Sequence, residues 1–236
     1  MRIDENLCIA CGSCVSYCPM KAISLGDVAV IDQNECVECG VCFRAKVCPV
    51  DAFVDEQASW PRSVRSAFSN PTVEHKETRI AGRGTEEMKT NEITGLFKSG
   101  WVGMGFEFGR PGIGSRFRDV DVVAQALARL GVTFADNNPV TKLMVDKKTG
   151  KITDEVLDEK VMSAIIECVF PVEKMKDVLR TLTELAPKLH TVVSVECINK
   201  VEPDDSLPMD KVLKEMGIAR RINGKTNVGL GRPLAG

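Results

Sequence analysis

From residue 100 onward, apolar and polar positions follow regular periods. Val102, Met104, Phe106 and Phe108 alternate with Trp101, Gly103, Gly105 and Glu107, as in a strand with one buried face. The glycines on the other face leave room for a backbone or a ligand to approach. A glycine-rich loop follows at 109–116. Asp119 is then expected to cap a helix with Val120, Val123, Ala124, Leu127 and Leu130 at helical spacing, ended by Gly131. Residues 132–134 and 142–145 read as short strands, with Lys148-Thr149-Gly150 as a turn. The pattern then recurs. Residues 163–170 form a strand with Ala164, Ile166, Cys168 and Phe170 inward, and Pro171 opens a helix stopped at Pro187. That helix turns Val172, Met175, Val178, Leu179, Leu182 and Leu185 toward the core. Residues 191–198 make a last strand. The order β–α–β–β–α–β over residues 100–200 is a split βαβ, an α+β arrangement.

Upstream the periodicity fails. Residues 58–99 contain Pro61, Pro71, Gly82, Gly84 and Gly95 among scattered charges, with no period of two or of 3.6. They are expected to be an irregular linker or docking segment. Its basic part, residues 79–90, suits contact with an anion or a partner subunit. Residues 201–236 give a short helix at 209–216 and a glycine-rich tail.

Chemistry is concentrated in residues 1–57. Cys8, Cys11, Cys14 and Cys18 precede Pro19 in the spacing C-x2-C-x2-C-x3-C-P. Cys36, Cys39, Cys42 and Cys48 precede Pro49 in C-x2-C-x2-C-x5-C-P. The second run repeats the first at an offset of 28 residues from Cys8 to Cys36, and Ile23 to Ile31 reads as a hairpin around Gly26-Asp27. Three thiolates on one tight loop reach three irons of a cubane, and Gly12 and Gly40 keep each loop close. Zinc sites favour two C-x2-C pairs over triplets followed by C-P. Disulfides need an oxidising compartment, and no stretch reads as a signal peptide.

With these spacings, residues 1–57 resemble the bacterial-type two-cluster 2[4Fe–4S] ferredoxin family. In that family the fourth cysteine of each run ligates the other run's cluster. The resemblance implies that Cys8, Cys11, Cys14 and Cys48 hold one cluster, and that Cys18, Cys36, Cys39 and Cys42 hold the other. The x5 spacing departs from the simplest pattern and is expected to enlarge a surface loop beside Cys48. Residues 100–200 resemble ferredoxin-like or ACT-type domains in outline only, a likeness of shape that says little about function.

Composition narrows the function. The chain has 236 residues, 27% charged, and no apolar run near membrane-spanning length. Only two histidines and one tyrosine are present, which weakens most acid–base mechanisms. The net charge of −2 conceals an asymmetry: residues 1–57 hold nine acidic and four basic side chains, and the rest 24 and 27. This leaves no footprint for nucleic acid and suits docking on a basic partner. Outside the cysteines, the 109–116 loop is the best candidate site. Arg110, Gly112, Gly114 and Arg116 lead into a helix N-terminus, where free N–H groups favour an anion or a subunit contact. Cys168 and Cys197 read as core residues.

The expected protein is a cytoplasmic electron-transfer polypeptide of an anaerobe. Two [4Fe–4S] clusters would serve as the electron-carrying subunit of a larger oxidoreductase, a hetero-oligomer with redox subunits as partners. Two other functions share the same clusters: a redox-linked sensor binding a small anion in the α+β part, and a reductase holding its own substrate there.

Overall fold

The computed structural model describes residues 1–76, 78–79 and 96–219. The N-terminal part is built twice from one unit. The Asp4 carboxylate accepts the Asn6 N–H at 2.9 Å, while its carbonyl accepts the Leu7 and Cys8 N–H groups at 3.2 and 3.0 Å. The Asp32 carboxylate takes Asn34 at 2.8 Å, and its carbonyl takes Glu35 and Cys36 at 3.2 and 2.9 Å. Aspartate favours such turns because its side chain reaches the backbone two residues on. Each copy's first strand pairs antiparallel with the other copy's last: β1 (Arg2–Ile3) with a strand at Phe53–Val54, and Ile23–Leu25 (β2) with Ala29–Ile31 (β3). The hairpin around Gly26-Asp27 is thus β2–β3, and Phe53–Val54 is β4.

The copies differ at the two extra residues of the second run. Where the first has a single 3-10 turn at Val15–Tyr17, the second has helix α1 (Val41–Arg44), followed by Lys46 at a φ of 52°. The insertion is therefore a helical turn that is tied down, not merely a larger loop: Arg44 Nη1 donates to Asn70 Oδ1 at 2.8 Å.

The stretch read as irregular from residue 58 contains helix α2 (Ser63–Ser69). Val64 and Phe68, each 3% exposed, enter the main core, and Phe68 meets Phe117 edge-on at 5.0 Å. Burial of two such side chains contributes about 1.5–3 kcal/mol each. Residues 80–95, which hold most of the basic 79–90 stretch, and the glycine-rich end from 220 onward lie outside the described residues.

The remaining elements are β5 (Trp101–Phe108), β6 (Ser115–Arg116), α3 (Phe117–Arg129), β7 (Thr133–Phe134), α4 (Pro139–Lys142), β8 (Met144–Asp146), β9 (Lys151–Ile152), β10 (Lys160–Val161), β11 (Ala164–Pro171), α5 (Met175–Leu185), β12 (Val193–Asn199) and α6 (Pro208–Glu215). One four-stranded sheet runs β12-β5-β11-β7 with every neighbouring pair antiparallel. Val102, Met104, Phe106 and Phe108 are fully buried and share one core with the apolar sides of α3 and α5.

Three local expectations are corrected. Residues 142–145 are not one strand: Asn138 caps α4 by accepting the Val140 and Thr141 N–H groups at 2.8 and 3.3 Å, and β8 then pairs with β9. Helix α3 begins at Phe117, before Asp119, because the Phe117 and Arg118 N–H groups donate to the carbonyls of Glu159 and Leu157. What approaches Gly103 is a side chain, the buried ring of Phe97, which a Cβ at that position would meet at 2.0 Å.

Candidate metal centre

Eight thiols converge from the two copies. Cys8, Cys11, Cys14 and Cys48 line one cavity, bordered by apolar groups that include Ile3, Ala29 and Phe53. Cys18, next in sequence after Cys14, does not line it. In the second group burial pushes the Cys42 thiol up to about 12, and the nearby sulfurs of Cys39, Cys36 and Cys18 add to the effect. Burial also raises Cys14, with further contributions from Cys11, Cys8 and Cys48. Each set of three therefore senses a fourth thiol from the opposite run. Cys11 moves the other way, lowered by its hydrogen bonds to Ser13.

Backbone groups are aimed at the sulfurs in the same manner in both copies. The Ala22 N–H donates to Cys18 Sγ at 3.1 Å, and the Ala52 N–H donates to Cys48 Sγ at 3.2 Å. The loops also match in shape. Ala10 and Glu38 have φ of 53° and 54°, and Gly12 and Gly40 have 72° and 67°. Left-handed residues alternating with right-handed ones turn successive N–H groups to one side and suit an anionic centre.

This donor set fits an iron–sulfur group. Buried neutral thiols ionise only when a cationic centre offsets their desolvation, and eight sulfurs with no histidine among them are soft ligands. A zinc site would draw four sulfurs to within about 2.3 Å of one point. Among the described residues, no three His, Cys, Asp or Glu side chains are placed to hold a single ion. A [4Fe–4S] cluster instead takes its four sulfurs onto four separate irons.

The two groups have different surroundings. The second lies against the body of the protein. Met20, Ala22, Val37 and Cys39 form one apolar cluster with Met162 packed on it. Arg65, 5% exposed, donates from Nη1 to the carbonyls of Cys36 at 2.7 Å and Gln33 at 2.9 Å, and pairs through Nε with Glu159. Arg62 closes the same side through Glu38 at 2.6 Å. Ser69 Oγ accepts the Met162 N–H at 2.8 Å. Sequence reading missed Arg62, Arg65, Ser69 and Met162. The available signal was the apolar spacing of Val64 and Phe68 beside two arginines three residues apart.

The 109–116 loop is engaged within the chain. Arg116 donates to the carbonyls of Asp158 at 2.6 Å and Asn34 at 3.4 Å, and pairs with Glu35 at 3.3 Å. Arg110 turns elsewhere, to Glu107 at 3.2 Å. The two arginines do not share a partner, and the leading N–H groups of α3 are already bonded to carbonyls. The two arginines of the anion or subunit site expected at Arg110, Gly112, Gly114 and Arg116 thus have separate partners within the chain. The loop seats the cysteine-bearing part instead. A Cβ on Gly112 would lie 3.9 Å from the Pro19 carbonyl; one on Gly114 would lie 2.7 Å from Met20 Cε and 2.9 Å from the Val161 carbonyl. Since Gly114 also has a φ of 73°, Gly114→Ala is expected to destabilise the protein by about 1–3 kcal/mol. Denaturant titration of the variant checks this, and an unchanged midpoint would refute it.

Cys168 and Cys197 stand apart as core thiols. Burial raises both, Cys197 to about 11. At pH 8 a thiol of pKa 11 is thiolate in about one molecule per thousand. Both should resist alkylation in the native protein and react on unfolding, as peptide mass spectrometry would read out.

Comparison with known families agrees with this chemistry. A family described as a 4Fe-4S binding domain matches residues 1–24, the segment holding the first four cysteines. A search of curated proteins finds no match to the chain. No helix among the described residues is long and apolar enough to cross a membrane. The N-terminal segment is of the iron–sulfur ferredoxin type, and it gives the chain a [4Fe–4S] cluster and an electron-transfer role.

Proposed function

We propose that this chain is a two-cluster electron carrier, built to work as the electron-carrying subunit of a larger oxidoreductase in the cytoplasm. Cys8, Cys11, Cys14 and Cys48 hold one [4Fe–4S] cluster. Cys18, Cys36, Cys39 and Cys42 hold the other. Such a cluster, when bound, supplies storage and release of single electrons at a potential set by burial, hydrogen bonds to sulfur and nearby charge. The chain's residues do the tuning. The Ala22 and Ala52 N–H groups donate to sulfur, and apolar side chains border the first site.

The observation that carries this reading is the presence of Cys48, and not Cys18, in the cavity shared by Cys8, Cys11 and Cys14. The body then serves as a mount that grips the second group through Arg62, Arg65 and Met162. A sensor responding to an anion at the 109–116 loop has less support, because Arg110 and Arg116 each pair within the chain and do so with different carboxylates. Anaerobically purified protein is expected to hold about eight irons and eight sulfides per chain. About four or fewer irons, or zinc in their place, would refute the proposal.

A further inference from the structure

The main sheet ends in two unlike edges. One is β7, two residues long; the other is β12, seven residues long, whose strand neighbour among the described residues is β5 alone. A very short strand is one way to blunt an edge, and lysine, proline or a bulge are others. β12 uses none of them. Val193–Asn199 contains no lysine or proline, and its register against β5 runs without a shift. The edge is also partly apolar, with Val192 37% and Val195 38% exposed.

The direction of the open backbone groups follows from one bond. The Gly109 N–H donates to the Val192 carbonyl at 3.0 Å, one step before the pair Val193–Phe108. In an antiparallel ladder, bonded pairs alternate with non-bonded ones. Ser194, Glu196 and Ile198 therefore bond to β5. The N–H and C=O groups of Val193, Val195 and Cys197 point the other way, to the outer side of the sheet edge.

A second copy fits this edge. Two β12 strands bond antiparallel about a two-fold axis when outward groups face outward groups, so the axis passes through a residue. At Val195 it sets Val195 opposite itself, Val193 opposite Cys197, and Val192 opposite Ile198 in the second copy. Ser194 then faces Glu196, the one carboxylate of the strand. Apolar residues thus meet apolar ones, and the carboxylate meets a hydroxyl. An axis at Glu196 brings two carboxylates together, which is destabilising. An axis at Cys197 sets Glu196 against Ile198, and axes nearer either end pair fewer strand residues.

We propose that β12 pairs antiparallel with β12 of a second copy about a two-fold axis at Val195, joining the two sheets into one. Such an interface is closed, because each copy spends the same edge on the other. The pairing needs no particular number of clusters and goes beyond the electron-carrier reading.

The test uses the full, iron-loaded chain under anaerobic conditions. Sedimentation across an about hundredfold dilution should show a dimer that dissociates by mass action. Val195→Lys places like charges on the axis and should weaken dimerisation about tenfold or more. Val145→Lys makes the same change at another exposed valine and should alter it less than about twofold. Substitutions at the exposed Ser194 leave the core untouched and read the register. Ser194→Lys, facing Glu196 twice across the axis, should tighten the dimer about threefold, and Ser194→Glu should loosen it by a similar factor. Amide exchange gives an independent readout. The Val195 and Cys197 amides should exchange about tenfold faster on dilution, while those of Ser194 and Glu196 stay slow in the β5 ladder. A chain that is monomeric throughout overturns the proposal, as does a dimer that Val195→Lys leaves intact. Shifts of the same sign from Ser194→Lys and Ser194→Glu overturn the axis at Val195. Slow Val195 and Cys197 amides in the monomer also overturn it, since the chain would then be covering its own edge.

Discussion

Replacing Arg65 by alanine is expected to destabilise the iron-loaded protein by about 3–5 kcal/mol, the cost of removing one member of a buried ion pair. Glu159 would be left without its partner in a mostly buried position, and the Cys36 and Gln33 carbonyls would lose a charged donor. Arg65→Lys should rescue little, since a single ammonium cannot serve a carboxylate and two carbonyls in the planar arrangement a guanidinium offers. Urea unfolding under anaerobic conditions, followed by circular dichroism, gives the comparison. A loss below about 1 kcal/mol would mean that solvent already screens the site.

The second large effect separates the two cysteine groups. Cys39→Ala and Cys11→Ala should each lower the iron content by about half, but only the first should disturb the body. Cys39 belongs to the apolar cluster on which Met162 packs, immediately before β11, whereas Cys11 faces outward. Amide hydrogen exchange in β10 and the start of β11 should quicken by about tenfold in Cys39→Ala and stay unchanged in Cys11→Ala, reflecting local loss of stability. Equal behaviour of the two variants would show that the body does not sense which group is occupied.

Much of this was legible in residue order because the signals are local. Cysteine spacing disclosed the duplicated loops, and strict alternation placed β5 and β11 on the correct face. The apolar rows of α3 and α5 were equally plain. What escaped is decided by contacts between distant segments. Helix α2 is only seven residues long between Pro61 and Pro71, too short for periodicity to stand out, and its stability comes from Phe117 and the sheet core. The start of α3 is set by the carbonyls of Leu157 and Glu159, some forty residues away. The 109–116 loop has the composition of an anion site, and only its neighbours reveal that Gly114 is small so that Met20 and the Val161 carbonyl can come close.

The placement of α2 makes the chain hard to divide. A cut near residue 57 would release a ferredoxin-like fragment stripped of Arg62 and Arg65, with Val37 and Met20 newly wetted. A cut after residue 70 would keep those arginines but drag Val64 and Phe68 out of the body's interior. Evolution could borrow neither piece without repair, so any relative carrying one half alone should show compensating changes at these six positions.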